Sequence, residues 1–108
     1  MVAAQRFDVY LVRLSPTEGH EMQKTRPCVV ISPDEMNHYL ATVIVAPMTT
    51  RGHAYPSRIP VVVGGREGWI VLDQLRTVDQ GRLLHHLGRL DADTADLVLL
   101  VLSEIFAP

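Results

Sequence analysis

Thr42 to Ala46 reads Thr-Val-Ile-Val-Ala, an almost unbroken β-branched run. Such side chains are stiff at χ1 and favour extended backbone. A strand without polar alternation is buried on both faces, so the rest of the chain has to cover it. Pro47, which has no N–H for a ladder, is expected to end it. The flanking stretches read as further strands. Phe7 to Leu14 alternates, with Phe7, Val9 and Leu11 on one side and Asp8, Tyr10, Val12 and Leu14 on the other. Pro27 to Ser32 is a short apolar run, and Arg58 to Val63 carries Pro60, which suits an edge or a bulge. A polar connection spans Met48 to Ser57, and Gly64 to Gly68 reads as a turn. Trp69 to Leu72 and Leu83 to Leu90 complete the set.

Two helices are expected. Ser32-Pro33-Asp34-Glu35 is a helix start: Ser32 caps, Pro33 takes the first position, and acids fill the first turn. That helix has to be short, because Asn37 to Ala41 leads into the β-branched run. Asp91 caps a final helix of roughly 14 residues. Leu97, Leu100, Val101 and Glu104 share one spacing there, and Val98, Leu102 and Ile105 form a second apolar line. A helix apolar on most of its circumference packs on the sheet and against another surface as well. Short antiparallel strands and one late helix give a mainly β architecture with α: a small, curled β-barrel with a helix packed on it.

At 108 residues the chain makes one domain, and 47% apolar with 20% charged residues is ordinary for a soluble globular protein. No apolar run approaches a membrane span, and no basic-then-apolar leader opens the chain. The single cysteine excludes an internal disulfide and fits a reducing, cytoplasmic setting. A net charge of −2 argues against indiscriminate nucleic-acid binding. The distribution is more informative. Thr49 to Arg89 holds six arginines against three acids, Glu67, Asp73 and Asp79, whereas Leu90 onward holds four acids and no base. The middle can therefore offer a basic face.

The chemistry-bearing stretch is the polar loop from Thr17 to Thr25, which carries Glu18, His20, Glu21 and Lys24 and delivers Arg26 to the mouth of an apolar strand. Gly19 supplies one free hinge, and Pro27 makes Arg26 extended rather than helical. Loops held by rigid strands concentrate binding and catalytic groups. Metal binding is not indicated: His20, His38, His53, His85 and His86 form no paired ligand motif, and the adjacent pair points to opposite faces of a strand. Cys28, mid-strand among apolar neighbours, reads as a small buried hydrophobe and not a nucleophile.

Pro16-Thr17, Gly19-His20-Glu21 and Arg26-Pro27, followed by a strand ending in Ser32-Pro33, resemble the MazF/PemK (Kid) family of toxin endoribonucleases in residue type and spacing. The resemblance continues at Ala46-Pro47-Met48-Thr49, at Gly52 with Tyr55-Pro56, and at Asp73-Gln74 with Arg76-Thr77-Val78-Asp79. These ordered blocks run through nearly the whole chain. The resemblance implies an SH3-like barrel (CcdB/PemK-like) with a C-terminal helix, assembled as a homodimer. It also implies a metal-independent, cofactor-free cut of single-stranded RNA and a cognate antitoxin with an acidic C-terminal tail. Operator DNA would be reached only through the antitoxin complex, and no membrane is involved.

RNA cleaves itself when its 2′-OH attacks the adjacent phosphate, giving a cyclic phosphate and a free 5′-OH. A protein then has to remove one proton, donate another and stabilise the phosphorane charge. By resemblance Arg26 is the essential cation and Thr49 its supporting donor, with His20, Glu21 and Asp73 nearby for proton handling. Thr17, Lys24, Thr50, Arg51, Gln74 and Arg76 are implied as RNA contacts. Some relatives use an arginine two residues before the aspartate equivalent to Asp73; Val71 stands there, so that part of their scheme does not carry over. Two rival classes are a CcdB-like gyrase-binding toxin, whose pattern lacks the Gly-His-Glu…Arg-Pro loop, and a non-catalytic nucleic-acid-binding barrel.

Overall fold

The computed structural model describes residues 3–14, 19–20 and 24–108. In chain order the elements are β1 (Asp8–Arg13), β2 (Thr25–Val30), α1 (Asp34–Tyr39), β3 (Thr42–Thr49), β4 (Arg58–Val63), β5 (Arg66–Val71), β6 (Arg76–Asp79), β7 (Leu83–Arg89) and α2 (Ala92–Ile105). Single 3-10 turns at Leu72–Gln74 and Gln80–Arg82 flank β6. The strands run antiparallel in the order β4-β5-β3-β2-β1-β7, with β6 also on β3. The architecture is the small curled barrel with a C-terminal helix that the strand pattern implies.

The β-branched run is its axis. Along one edge β3 pairs with β2, from Val30↔Val45 to Cys28↔Pro47. Its other edge is shared: Thr42 to Val45 pair with β6, and Met48 and Thr49 pair with β5. Pro47 does not end the strand, contrary to expectation. It falls between the last β6 partner, Val45↔Arg76, and the first β5 partner, Met48↔Ile70, where no ladder bond on that edge needs its missing N–H. Two further boundaries differ. Arg66 to Gly68 belong to β5 and pair with Val61 to Val63, which leaves Gly64-Gly65 as a two-residue hairpin turn with φ of +55° and +80°. Arg76–Asp79, to which the pattern assigns no strand, forms β6 because β3 offers it a free edge and Val78 a buried slot.

Ser32 does not cap α1. Pro33 holds the N-cap position, and the Ser32 hydroxyl instead donates to Asn37 Oδ1 while accepting from the Ile44 amide at 3.0 Å. Asn37, 1% exposed, returns a bond from Nδ2 to the Ser32 carbonyl at 2.9 Å, so a buried polar staple fixes α1 to β3. Asp91 does sit at the N-cap of α2, but only its carbonyl is used, accepting from the Ala95 amide.

Two cores result. In the first, Val98 and Val101 of α2 pack on Val29, Ile31, Ala46, Met48, Ile59, Ile70 and Leu72. The second joins Val12, Leu14, Cys28, Val30, Val43, Val45 and Val78. Val101 is buried with Val98 and not on the outer line with Leu97 and Leu100, which stay 39% and 57% exposed. Among the described residues no helix is long and apolar enough to cross a membrane.

Candidate active site

Strand alternation assembles the site on the rim of the second core. Arg26 lies two residues before Cys28 on β2, and Thr49 lies two residues after Pro47 on β3. Cys28 and Pro47 are paired, so the same register carried two residues outward sets Arg26 level with Thr49 on one face. Val12, the β1 partner of Arg26, is fully buried beneath that row. Arg76, the β6 partner of Val45, presents a second guanidinium to the same core. Its Nη1 donates to the Leu14 carbonyl at 2.8 Å.

Cys28 reports the field there. Burial pushes its thiol up to about 12, and the guanidiniums of Arg76 and Arg26 oppose that shift. The thiol is fully buried and donates to the Arg26 carbonyl at 3.6 Å, so it stays protonated and inert at neutral pH. Two fixed cations thus flank a neutral, apolar floor.

Thr49 is 9% exposed, and its Oγ1 accepts from the Arg51 amide at 3.1 Å. A hydroxyl that accepts in this way keeps its own proton to donate. Gly68 makes the close approach of β5 to β3 possible: a Cβ there would lie 2.4 Å from the Thr49 carbonyl oxygen. The loop base is tied as well. The Leu14 amide donates to the Lys24 carbonyl at 2.8 Å, and Lys24 adopts a φ of +67° on its way into β2.

The remaining sequence-derived residues divide. Asp73 turns to the β3–β4 connection: its Oδ1 accepts from Ser57 Oγ at 2.8 Å and from Arg58 Nε at 3.5 Å. It therefore holds the segment that carries the exposed Thr50 and Arg51. Gln74 is half-buried in the 3-10 turn beside it. His20 is exposed next to Gly19, whose φ is +58°. Thr17 and Glu21 lie outside the described residues. Among the described residues no three His, Cys, Asp or Glu side chains cluster as metal ligands would.

Trp69 escapes the sequence reading. It is the β5 partner of Thr49 and the chain's single tryptophan, half-buried beside the site. Its isolation next to Gly68 is the only signal in the sequence, and only the β3–β5 pairing turns that into proximity.

The chain has clear relatives. Residues 5–106 match the family model of PemK-like, MazF-like toxins of type II toxin–antitoxin systems. The chain belongs to that family. The endoribonuclease MazF of Staphylococcus saprophyticus subsp. saprophyticus is 40% identical over 91 residues, which cover 77% of this chain and 74% of the relative. The crystal structure of MazF (Form-I) from Deinococcus radiodurans superposes with a TM-score of 0.86 at 24% identity, covering 100% of both chains. A mycobacterial endoribonuclease solved in complex with its cognate antitoxin gives 0.82 at 20% identity, covering 98% of each. These two structures share the MazF-type fold with this chain.

Proposed function

We propose that this MazF-family toxin is an endoribonuclease that cuts single-stranded RNA by attack of a 2′-OH on the adjacent phosphate, leaving a 2′,3′-cyclic phosphate and a 5′-OH. What supports this reading is the β2–β3 register, which carried two residues past Cys28↔Pro47 sets Arg26 level with Thr49 above a buried floor. A guanidinium cannot lose its charge in water, and its fork matches two phosphate oxygens, so Arg26 stabilises the dianionic phosphorane. Thr49 donates its hydroxyl proton to the same phosphate. Arg76 adds positive potential, and Asp73 positions the segment bearing Thr50 and Arg51. His20 and Glu21 supply the proton transfers from the loop. Unstacked RNA is the natural substrate, because its bases can be read singly and its 2′-OH can reach in-line geometry.

The partners follow from surface and charge. Leu97, Leu100, Ile105 and Phe106 leave an apolar strip along the outside of α2, which supports a homodimer. The arginine-rich middle of the chain suits the acidic tail of a cognate antitoxin as a rival for phosphate, and operator DNA would be bound only through that complex. The deciding experiment is end analysis of a mixed-sequence RNA incubated with the toxin in EDTA. Cyclic 2′,3′-phosphates and free 5′-hydroxyls at preferred positions are expected. Cleavage that leaves 5′-phosphates, or that stops in EDTA, sinks the scheme.

A further inference from the structure

We infer that Trp69 is a stacking platform for a nucleobase flanking the scissile phosphate, an inference that rests on the RNA-cleaving reading of the same face. Trp69 pairs with Thr49 on one side and Pro60 on the other, a row across three strands, and the β2–β3 register carried two residues past Cys28↔Pro47 extends that row towards Arg26. Gly68, the residue before Trp69, lets the Thr49 carbonyl come closer than any Cβ would permit, so β5 lies tightly against β3 beside the indole. A directly opposed cross-strand residue lies about 4.5–5.5 Å away at Cβ, well within the span of one nucleotide.

Strand alternation puts Trp69 on the same sheet face as Thr49, where Trp69 is half-buried beside the exposed Pro60. Arg26 and Arg76 hold positive charge beside Cys28 in the core under that face. The backbone therefore follows the arginines while a base turns to the indole. Every base has a π-face, so stacking supplies affinity and positioning without a fixed sequence.

The single tryptophan makes the test direct. Mixed-sequence 2′-fluoro RNA, which lacks the attacking hydroxyl and is not cut, is titrated against the toxin. Indole fluorescence and fluorescence polarisation of the labelled RNA are followed together. An oligomer of abasic sugar phosphates of equal length serves as the backbone-only control. RNA should quench the indole saturably at the same midpoint as the polarisation change, while the abasic oligomer binds without quenching. Trp69→Ala should weaken RNA binding roughly 5- to 150-fold and leave abasic binding alone; Trp69→Phe, which keeps a ring, should stay within about 3-fold of wild type. Saturable binding without quenching overturns the inference, as does absence of RNA binding. Equal RNA affinity in folded Trp69→Ala would do the same, and Trp69→Phe decides if Trp69→Ala fails to fold. Should quenching hold while Arg26→Ala still cleaves at the wild-type rate, the stacking site survives and the catalytic assignment alone falls.

Discussion

The two hydrophobic cores share one sheet but are closed in different ways. The first is sealed by α2, whose Val98 and Val101 fill the concavity over Val29, Ala46 and Ile70. The second is strand against strand around Cys28, and its rim carries Arg26, Thr49 and Arg76. The helix-sealed core supplies the rigidity of the ladder. A core closed by strand ends leaves charged side chains at its mouth with their backbones fixed in register. On the proposed function, chemistry belongs to the strand-closed rim and stability to the helix side. Substitutions should therefore separate, with rim changes costing rate and helix-side changes costing melting temperature.

The largest separation is expected at Arg26. Arg26→Ala removes a positioned cation from a developing dianion, which should cost roughly 3–4 kcal/mol of barrier, or 10²- to 10³-fold in rate. Its side chain is half-buried on the rim, so the melting temperature should hardly move. Arg26→Lys keeps the charge and loses the fork, and should also be impaired. Thr49→Ala removes a neutral donor and should cost less than Arg26→Ala. Cleavage rates and melting curves measured on the same preparations decide this. An active, fully folded Arg26→Ala moves the chemistry to His20 and the loop.

Gly68→Ala comes next, and it should break the separation because it strikes both regions. Its Cβ would meet the Thr49 carbonyl oxygen at 2.4 Å and Val63 Cγ2 at 3.2 Å, so β5 has to withdraw from β3. Overpacking of this kind costs about 1–3 kcal/mol, and the shift should also lower the cleavage rate per folded molecule by displacing Thr49. Denaturant unfolding together with rate measurements would show it. Loss of stability with full activity would mean that the rim is not held by β5.

How far this was legible from sequence depends on which contacts are local. The β-branched run, the alternation from Phe7 to Leu14 and the Asp91 helix start announce themselves within a few residues, and the ordered motifs name Arg26 and Thr49. Pro47, Arg66–Gly68 and Arg76–Asp79 mislead because their state is set by partners far along the chain. Proline is harmless where β3 changes neighbours, and a polar Arg-Thr-Val-Asp segment becomes a strand once an edge is free. Ser32 shows the same limit: its composition says cap, yet a buried Asn37 five residues on claims its hydroxyl. The pairing of Trp69 with Thr49, twenty residues apart in sequence, is likewise a fact of register alone.

Val98→Ala tests the helix-side core from the other direction. Val98 is fully exposed to packing and not to water, at 0% accessibility. Losing two buried methyl groups should cost about 2 kcal/mol, counting roughly 0.8 kcal/mol per group and a small cavity penalty. Activity per folded molecule should stay within about 2-fold, since the rim residues stand on the ladder and not on α2. A lower midpoint in denaturant with an unchanged rate supports the division of labour. A rate loss well beyond the loss of folded protein would mean that α2 helps to shape the site.

The smallest effect on activity is expected at Cys28, although it lies in the second core beneath the rim. Its thiol is protonated in the folded chain up to about pH 12, against an ordinary value of 9.0, because burial outweighs the nearby Arg76 and Arg26. The sign follows from proton counting. Above pH 9 the unfolded chain releases this proton while the folded chain retains it, so alkali favours unfolding. Stability contributed by the buried thiol is complete below pH 9 and is lost progressively from pH 9 towards 12. Cys28→Ala abolishes the linkage, so its unfolding midpoint should fall less steeply with pH than that of wild type over the accessible part of that window. At pH 7 the variant should cleave within about 2-fold of wild type, because a neutral thiol neither attacks phosphate nor holds charge for Arg26. Denaturant midpoints of the two proteins at pH 7, 9 and 10 provide the measurement. Parallel pH profiles would show that the thiol ionises alike in both states, and that the two guanidiniums lie close enough to cancel the cost of burial.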